Sequence, residues 1–499
     1  MGPPPQGLRR RLNSLVVAAF IPAFFLGGAL LAGCASRAPE PPLYPPPADG
    51  DKDPIDWWKV IEERIEPLAH DRGERWPLIL WNNGGYDPLG EETVRMLLSR
   101  GITQHIRLHP SMIPAAQALA RAGSPVIVME GRSGAWPYPL AGDPSQWAHQ
   151  YEDDADVPEA WRKLPSPTLF KGWAEAAGRL RRTLEAFRRA GVTIDAAWLD
   201  YEGEPRGASF EAAKASPSTM ALLPARAMES KRAFYRFRRQ LWMQLVSTYV
   251  AAPIREVFPK ASVTNWMASL SAPDRPVLGW QDQVLPSVGL SMFTATNPVA
   301  YGIDLYFDHA WKEDYPLDRD HVDRLYTHLL LRQVSDDAYN RDRMAPYLKS
   351  VPWVGRWVAL DRDKVTPVMS REGYREALRH LWLRGIDAMQ VFNSGASAEL
   401  EIGEVEDTAA VYGEMLAFRK FLEDGRVMNF DYPGVQEGGP FWSGLSLERE
   451  AVVRVASRYP ATISLEPWEG RWITLAAPRG GATYLLTLTE GGIEATEAD

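Results

Sequence analysis

The sequence predicts an α/β fold, a (β/α)8 TIM barrel, with a small antiparallel β-sandwich domain after it. Short β-rich runs alternate eight times with longer amphipathic stretches, a pattern that implies parallel strands and right-handed crossovers. Eight such units in about 350 residues fit a barrel with loop insertions. A doubly wound open sheet is the alternative, but Trp81-Asn82-Asn83-Gly84-Gly85 lacks its usual Gly-rich first turn.

Residues 1–33 read as a secretory signal peptide. A cationic start, Arg9–Arg11, precedes the apolar run Leu15–Leu31, which ends just before Cys34, the only cysteine of the chain. A transmembrane anchor is the alternative, since the run is nearly long enough to span a bilayer. Leu31-Ala32-Gly33-Cys34 resembles the bacterial lipobox. That resemblance implies cleavage before Cys34, acylation of Cys34 and, with Ala35 following, the outer membrane of a Gram-negative bacterium.

Residues 34–54 form the next segment, a Pro-rich linker. The run Pro-Glu-Pro-Pro-Leu-Tyr-Pro-Pro-Pro is extended and semi-rigid, so it would hold a folded body away from a membrane surface. The two predicted domains then span 55–424 for the barrel and 425–499 for the β domain.

The barrel strands are expected where β-forming residues cluster between turns. They are Leu78–Trp81, His105–Leu108, Val126–Met129, Ile194–Asp200, Ser262–Trp266, Gly302–Tyr306, Trp353–Val358 and Ala388–Phe392. Helices are expected at Glu91–Ser99, Ala115–Ala122, Lys171–Ala190, Met228–Phe258, His321–Leu348, Arg371–Arg384 and Thr408–Leu422. Ser269–Val299, rich in Pro, Ser and Gly, predicts a long loop with a short helix at most.

The C-terminal domain is expected to contain short, turn-separated β-runs and a frayed tail at Glu490–Asp499. The runs are Val427–Tyr432, Ala451–Ser457, Ala461–Leu465, Arg471–Ala476 and Ala482–Leu488. Such a domain could be an accessory module or simply packing for the barrel.

Composition excludes several classes of partner. A net charge of −9 argues against nucleic acid. The eight histidines show no metal-ligand spacing and no Gly-rich phosphate loop is present, so no metal or organic cofactor is expected. Tryptophans at strand ends suit the apolar faces of sugar rings.

The fourth predicted strand carries the candidate chemistry. Side chains alternate along a strand, so Trp198, Asp200 and Glu202 share one face, with both carboxyl groups at the carboxyl end. A Glu there can protonate a leaving glycosidic oxygen, and an Asp two residues earlier can tune and orient the reacting groups. Their Cα atoms would be only about 6.5–7 Å apart, which favours attack by the substrate's own 2-acetamido oxygen over an independent nucleophile.

The run from Asp195 to Glu202 resembles the Asp-Gly-x-Asp-x-Asp-x-Glu motif of family 18 chitinase-like hydrolases, and its Asp-x-Glu also resembles hyaluronidase-type barrels. The first Asp, the last Asp and the Glu fall in register, whereas Trp198 replaces the middle Asp. The resemblance implies that Glu202 is the general acid and that Asp200 orients the acetamido group. It also implies an acetamide-binding Tyr after the sixth strand, for which Tyr306 is the candidate.

A second enzyme hypothesis uses Glu204, because Gly203-Glu204-Pro205 echoes the Asn-Glu-Pro of retaining barrel glycosidases with a double-displacement mechanism. Arg107 and His109 could bind an anionic group. The other substrate-binding candidates lie near strand ends or in the long third connection: Trp81, Asn82, Trp136, Asn265, Trp266, Asp308, Trp357 and Asn393.

These observations together predict a lipid-anchored glycoside hydrolase outside the cytoplasm. Its substrate would be an oligo- or polysaccharide containing N-acetylhexosamine. A non-catalytic glycan-binding surface lipoprotein is the alternative from another functional class.

Overall fold

The computed structural model describes residues 57–498 apart from 82–89, 132–169, 201–209, 216–219, 221–222, 276–282, 285–290, 303–317, 362–363, 393–397 and 436–437. The described residues belong to one compact unit, Glu40–Asp499. The division at 424/425 stays a prediction. No helix in the described ranges is both long and apolar enough to cross a membrane.

The helices between residues 57 and 424 alternate with short strands. They are α1 (Trp57–Arg64), α2 (Glu91–Ser99), α3 (Ile113–Arg121), α4 (Phe170–Arg189), α5 (Phe210–Ala215), α6 (Lys231–Val246), α7 (Ala252–Val257), α8 (Arg319–Met344), α9 (Arg371–Trp382), α10 (Ala398–Met415) and α11 (Arg419–Asp424). The turn Ser247–Ala251 joins α6 to α7 as a π-helix.

The strands of this part are short. They are β1 (Leu78–Leu80), β2 (Ile102–Gln104), β3 (Ile106–Arg107), β4 (Ile127–Gly131), β5 (Ala196–Asp200), β6 (Ser262–Asn265), β7 (Ala268–Ser269), β8 (Gln283–Val284), β9 (Ala295–Thr296), β10 (Val299–Ala300), β11 (Lys349–Ser350), β12 (Trp353–Val354), β13 (Ala359–Asp361), β14 (Lys364–Val365) and β15 (Gln390–Val391).

Parallel pairing links most of these strands in chain order. One sheet has the order β10-β12-β15-β1-β2 and a second has the order β3-β4-β5-β6. Only His105 separates β2 from β3, so one strand continues from the first sheet into the second. At the other end, Thr294 N–H donates to the carbonyl of Val263 in β6 at 2.9 Å, and β9 pairs with β11. The α/β class is confirmed.

The two faces of the parallel strands have different neighbours. Ala197 and Leu199 of β5 belong to a large apolar core with residues of the surrounding helices, such as Leu184. Ala196 and Trp198 belong to a separate buried cluster with residues of other strands. We call the face opposite the helices the inner face. Packing on both faces is the expected condition of a parallel sheet.

Proline divides two strands of this part, and both strands include residues that were not predicted as strand. The sixth strand lies at Ala295–Ala300 and so overlaps the end of the predicted loop Ser269–Val299. The predicted strand Gly302–Tyr306 lies outside the described residues except for Gly302. Pro298 lacks an N–H and divides it into β9 and β10, while its carbonyl still accepts from Trp353 N–H at 2.9 Å. Pro352 similarly divides the seventh strand into β11 and β12. The predicted run Trp353–Val358 is confirmed at Trp353–Val354, but the strand begins earlier, at Lys349.

A side chain extends the strand pairing at the amino-terminal ends of three strands. The Asp195 carboxylate accepts from Val126 N–H at 2.8 Å, and the Asp387 carboxylate accepts from Ser350 N–H at 2.8 Å. Thr294 Oγ1 accepts from Val263 N–H at 2.8 Å. In each case a backbone N–H at the start of the neighbouring strand gains a side-chain acceptor in addition to the backbone hydrogen bonds of the sheet. This added bond helps to fix the register of the two strands.

The C-terminal part is antiparallel, as predicted. Its five-stranded sheet has the order β16-β17-β18-β21-β22, and β19 and β20 form a hairpin. The two share a buried cluster that includes Val453, Leu465 and Tyr484. Their ranges are β16 (Arg426–Val427), β17 (Phe441–Ser446), β18 (Glu450–Ala456), β19 (Ala461–Trp468), β20 (Arg471–Ala477), β21 (Ala482–Thr489) and β22 (Gly492–Ala498).

The expected frayed tail is wrong, because β22 pairs with β21 as an edge strand. The signal was weak, since an exposed edge strand needs few apolar residues. Of the predicted run Val427–Tyr432, only Val427 is strand, as the last residue of β16. The strand β17 was not predicted.

A buried polar network joins α9 to the antiparallel sheet. Ser443 Oγ lies 2.9 Å from His380 Nδ1 and accepts from Arg384 Nε at 2.9 Å. Glu376 accepts from Arg454 at 2.8 and 2.6 Å, and lies 3.2 Å from His380 Nε2. Ser443 and His380 are completely buried, so this Ser–His–Glu arrangement holds the two parts together and is closed to substrates.

Arg384 donates to Ser443 and to the backbone carbonyls of Asn429, Asp431 and Trp442. Replacing it by Met should lower the free energy of unfolding by about 3 kcal/mol or more, because several buried acceptors lose their donor. Denaturant unfolding measures this, with Arg426→Met as the control, since that side chain is 85% exposed. Equal, small effects of both substitutions would contradict the role of the network.

Candidate functional site

Strand β5 brings Asp200 to the carboxyl end of the parallel strands. Ala196 and Trp198 lie on the inner face, and alternation puts Asp200 on the same face. Its side chain is half-buried, unlike the buried residues before it. Asp200 is therefore the described carboxylate that reaches the inner face beyond Trp198 at this end.

An aromatic cluster occupies the inner face at the same end. Trp81 is half-buried, and its ring centroid lies 5.1 Å from that of Trp353 and 5.0 Å from that of Phe392. Tyr301 stacks on Phe392 with centroids 4.3 Å apart. The cluster is Met129, Trp266, Met267, Val299, Tyr301, Trp353, Val358 and Phe392, with Trp81 packed against it.

Trp81 is the more open aromatic ring of this cluster. Trp353 and Tyr301 are each only 2% exposed, so they support the arrangement from below. A partly exposed ring held by buried rings is a rigid surface on which the apolar face of a sugar can stack. The position of Trp81 directly after β1 fixes this surface at the carboxyl end of the strands.

Trp266 is held at the end of β6 by an unusual backbone. Its indole N–H donates to Tyr301 Oη at 3.2 Å. Met267 has a φ of 57°, which is uncommon for a residue with a side chain. The Asn265 side-chain amide donates to the Trp266 carbonyl at 3.1 Å, and this bond supports the left-handed turn. Strained backbone of this kind is frequent at functional sites.

Gly355 allows Tyr301 to take its place. A Cβ at position 355 would lie 2.7 Å from the Cβ of Tyr301, which is too close for any other residue. The next residue, Arg356, is buried and donates to Asp407 of α10 at 2.9 Å, while its N–H donates to Glu404 at 2.9 Å. Burial raises the pKa of Glu404 well above its usual range, despite the Arg356 N–H.

A polar pair lies deeper on the inner face. His105 Nε2 is 2.8 Å from Gln390 Oε1, and the His105 ring lies 5.8 Å from that of Trp353. Burial lowers the pKa of His105 to about 3, so its ring stays neutral and Nε2–H donates to Gln390.

Four residues of this region were not predicted from the sequence: His105, Gln390, Tyr301 and Trp353. All except Tyr301 lay in or at the start of predicted strands, so the inner-face alternation was the available signal.

The structure describes four of the predicted substrate-binding residues. Trp81 and Trp266 belong to the aromatic cluster, and Asn265 supports the turn below Trp266. Trp357 was predicted to bind substrate, but its side chain is completely buried against Val368. It packs in the interior and presents no surface to a sugar. The described Arg107 and His109 are exposed, and His109 Nδ1 accepts from Ser111 N–H.

The remaining candidates lie outside the described residues: Cys34, Asn82, Trp136, Glu202, Glu204, Tyr306, Asp308 and Asn393. Since the sixth strand ends at Ala300, the tyrosine that directly follows it is Tyr301, five positions before Tyr306. Among the described residues no group of His, Cys, Asp or Glu side chains could hold a metal ion.

No protein-family model matches the chain, and no curated protein matches its sequence. Solved structures that it resembles include a GH30 endoxylanase from Clostridium papyrosolvens C71, with 10% identity, a TM-score of 0.40, and coverage of 87% of this chain and 98% of that one.

Two other similar structures are an α-amylase from Geobacillus thermoleovorans complexed with acarbose and α-L-fucosidase isoenzyme 2 from Paenibacillus thiaminolyticus. The first has 8% identity, a TM-score of 0.44, and coverage of 85% and 99%. The second has 12% identity, a TM-score of 0.41, and coverage of 71% and 51%. Similarity at this level assigns the chain to none of these families.

Asp195, the first Asp of the motif, lies at the opposite end of β5 from Asp200. Burial raises its pKa above the ordinary 3.8, although the Val126 N–H partly offsets this. A raised pKa in the folded state means that stability falls as pH rises from about 3.8 through the folded pKa. Asp195→Asn should therefore raise the melting temperature at pH 7, with the gain disappearing below about pH 3.8.

Thermal unfolding across this pH range measures the effect. Asp195→Ala is the matched variant: it leaves Val126 N–H without its acceptor and should cost about 1–3 kcal/mol at every pH. A loss of stability in Asp195→Asn at pH 7 would show that the charged form is favoured.

Proposed function

We propose that this protein is a lipid-anchored glycoside hydrolase outside the cytoplasm, built on a (β/α)8 barrel, that cleaves a glycan containing N-acetylhexosamine. Support for the barrel is the hydrogen-bonded strand order. It runs from β1 through the continuous β2–β3 strand to β6, passes to β9 by the Thr294–Val263 bond, and returns to β1 through β12 and β15.

The observation that carries the proposed activity is the position of Asp200. It lies at the carboxyl end of β5 on the inner face, where barrel enzymes place their chemistry. The aromatic cluster with half-buried Trp81 lies on the same face at the same end of the strands. A carboxylate and a partly exposed aromatic surface at the same end of the strands are suited to a sugar ring.

In the proposed mechanism Glu202 donates its proton to the glycosidic oxygen as the bond to the anomeric carbon breaks. The 2-acetamido oxygen of the same sugar attacks that carbon and forms an oxazolinium-type intermediate, while Asp200 stabilises the positive charge that develops on the acetamido nitrogen. Glu202 then removes a proton from water, which opens the intermediate with overall retention. Trp81 would stack on the ring and hold it in place.

Hydrolysis of chitooligosaccharides, peptidoglycan and hyaluronan by a soluble form that begins near Asp51 tests this proposal. Wild type should release products, whereas Glu202→Gln and Asp200→Asn should each lower kcat at least about 100-fold, because each loses a group that acts in the transition state. The Asp195→Asn variant is the control and should keep its activity, since its side chain lies at the other end of the strand.

Other results of this hydrolysis experiment would indicate a different catalytic residue, a binding function or a different substrate. Turnover that Glu202→Gln retains would move the assignment to Glu204 and a double-displacement mechanism. Binding of these glycans without any turnover would identify a non-catalytic surface lipoprotein. If no acetylated glycan is bound or hydrolysed, the proposed substrate class is contradicted.

The lipid anchor is tested separately. Expression of the full chain in a Gram-negative host with radiolabelled palmitate should label the wild type, and Cys34→Ser should remove the label, since the chain has no other thiol. The outer-membrane fraction should contain the labelled protein. A label that persists in Cys34→Ser would contradict acylation at this residue.

A further inference from the structure

Two neighbouring side chains on the inner face bury polar atoms that have no partner in the described part of the chain. They are Nε1 of Trp198 in β5 and Oγ1 of Thr264 in β6. Trp198 is 2% exposed and Thr264 is 0% exposed. A buried donor or hydroxyl left without a partner costs about 1–3 kcal/mol, so two at one place need a physical explanation.

The strand register brings these two residues side by side. Trp198 and Thr264 are direct partners in the parallel pairing of β5 with β6. Val263 faces the helices, so Thr264 faces inward, as Trp198 does. Register partners in a parallel pair point to the same side of the sheet, and both polar atoms therefore face the same interior region.

The surroundings limit what can satisfy these atoms. Trp198 packs against Trp76, with ring centroids 5.5 Å apart, and its buried apolar neighbours include Ile79 and Ile127. The nearby polar layer is already occupied, because Gln390 bonds His105 and the Val351 carbonyl. A partner must be small, polar, and able both to accept from an indole N–H and to bond a hydroxyl.

We propose that Trp198 and Thr264 hold an ordered internal water molecule between β5 and β6. The water accepts from Trp198 Nε1–H and bonds the Thr264 hydroxyl, which gives it the minimum of two polar partners that buried waters need. Asp200 lies two residues beyond Trp198 on the same face, so the site belongs to the floor beneath the proposed catalytic residue. Such a water would be part of the folded interior whether or not the protein carries out the proposed reaction.

A high-resolution crystal structure of the soluble form that begins near Asp51 gives the direct test. It should show an ordered water within hydrogen-bonding distance of both Trp198 Nε1 and Thr264 Oγ1, and Trp198→Phe should lack it. A direct bond between the two side-chain atoms, or a region without ordered density, would overturn the proposal.

A double-mutant cycle on unfolding midpoints tests the same site in solution. Trp198→Phe and Thr264→Val should each lower the midpoint, and the double variant should lower it by clearly less than the sum, because the first substitution already releases the shared water. The control cycle pairs Thr264→Val with Trp382→Phe, which removes another completely buried indole N–H on helix α9. That cycle should be additive. Additive behaviour in both cycles would contradict a shared water.

Discussion

Alternation along a parallel strand that is packed on both faces is the constraint on which this structure depends. In β5, Ala197 and Leu199 must enter the core beneath the helices, and this requirement turns Ala196 and Trp198 to the inner face. A shift by one residue would bury Asp200 against helices and expose Leu199. Core packing and the direction of the candidate carboxylate are thus consequences of the same register.

Other contacts protect that register. Side chains of Asp195, Thr294 and Asp387 add a bond to a neighbouring strand at the amino-terminal ends. The aromatic cluster fills the carboxyl ends, and Gly355 leaves the room that Tyr301 requires. The Ser443–His380–Glu376 network then ties α9 to the antiparallel sheet, which makes that sheet part of the packing of the whole unit.

Sequence patterns predicted the elements whose signals were local and strong. The run from Ile194 to Leu199 is apolar apart from Asp195, and β5 forms at Ala196–Asp200, within the predicted strand Ile194–Asp200. The strand at Ala295–Ala300 was missed because Ala295, Asn297 and Pro298 are poor strand formers, whereas Ile303–Phe307 has a stronger β-strand pattern. Its position depends on pairing with β11 and β12, which no local pattern contains. The candidate site was predicted on β5 because the pattern of that strand is local. Tyr301, His105 and Gln390 were missed because their positions depend on contacts between distant strands.

The proposed function requires that glycans bind at the carboxyl ends of the parallel strands, between Trp81 and Asp200. A crystal structure of the Glu202→Gln variant with a bound chitooligosaccharide tests it most directly. We expect one sugar ring stacked on Trp81 with its acetamido group beside Asp200. A sugar bound elsewhere, for example on the 65% exposed Trp472 of the C-terminal hairpin, with the inner face unoccupied at saturation, would contradict the claim.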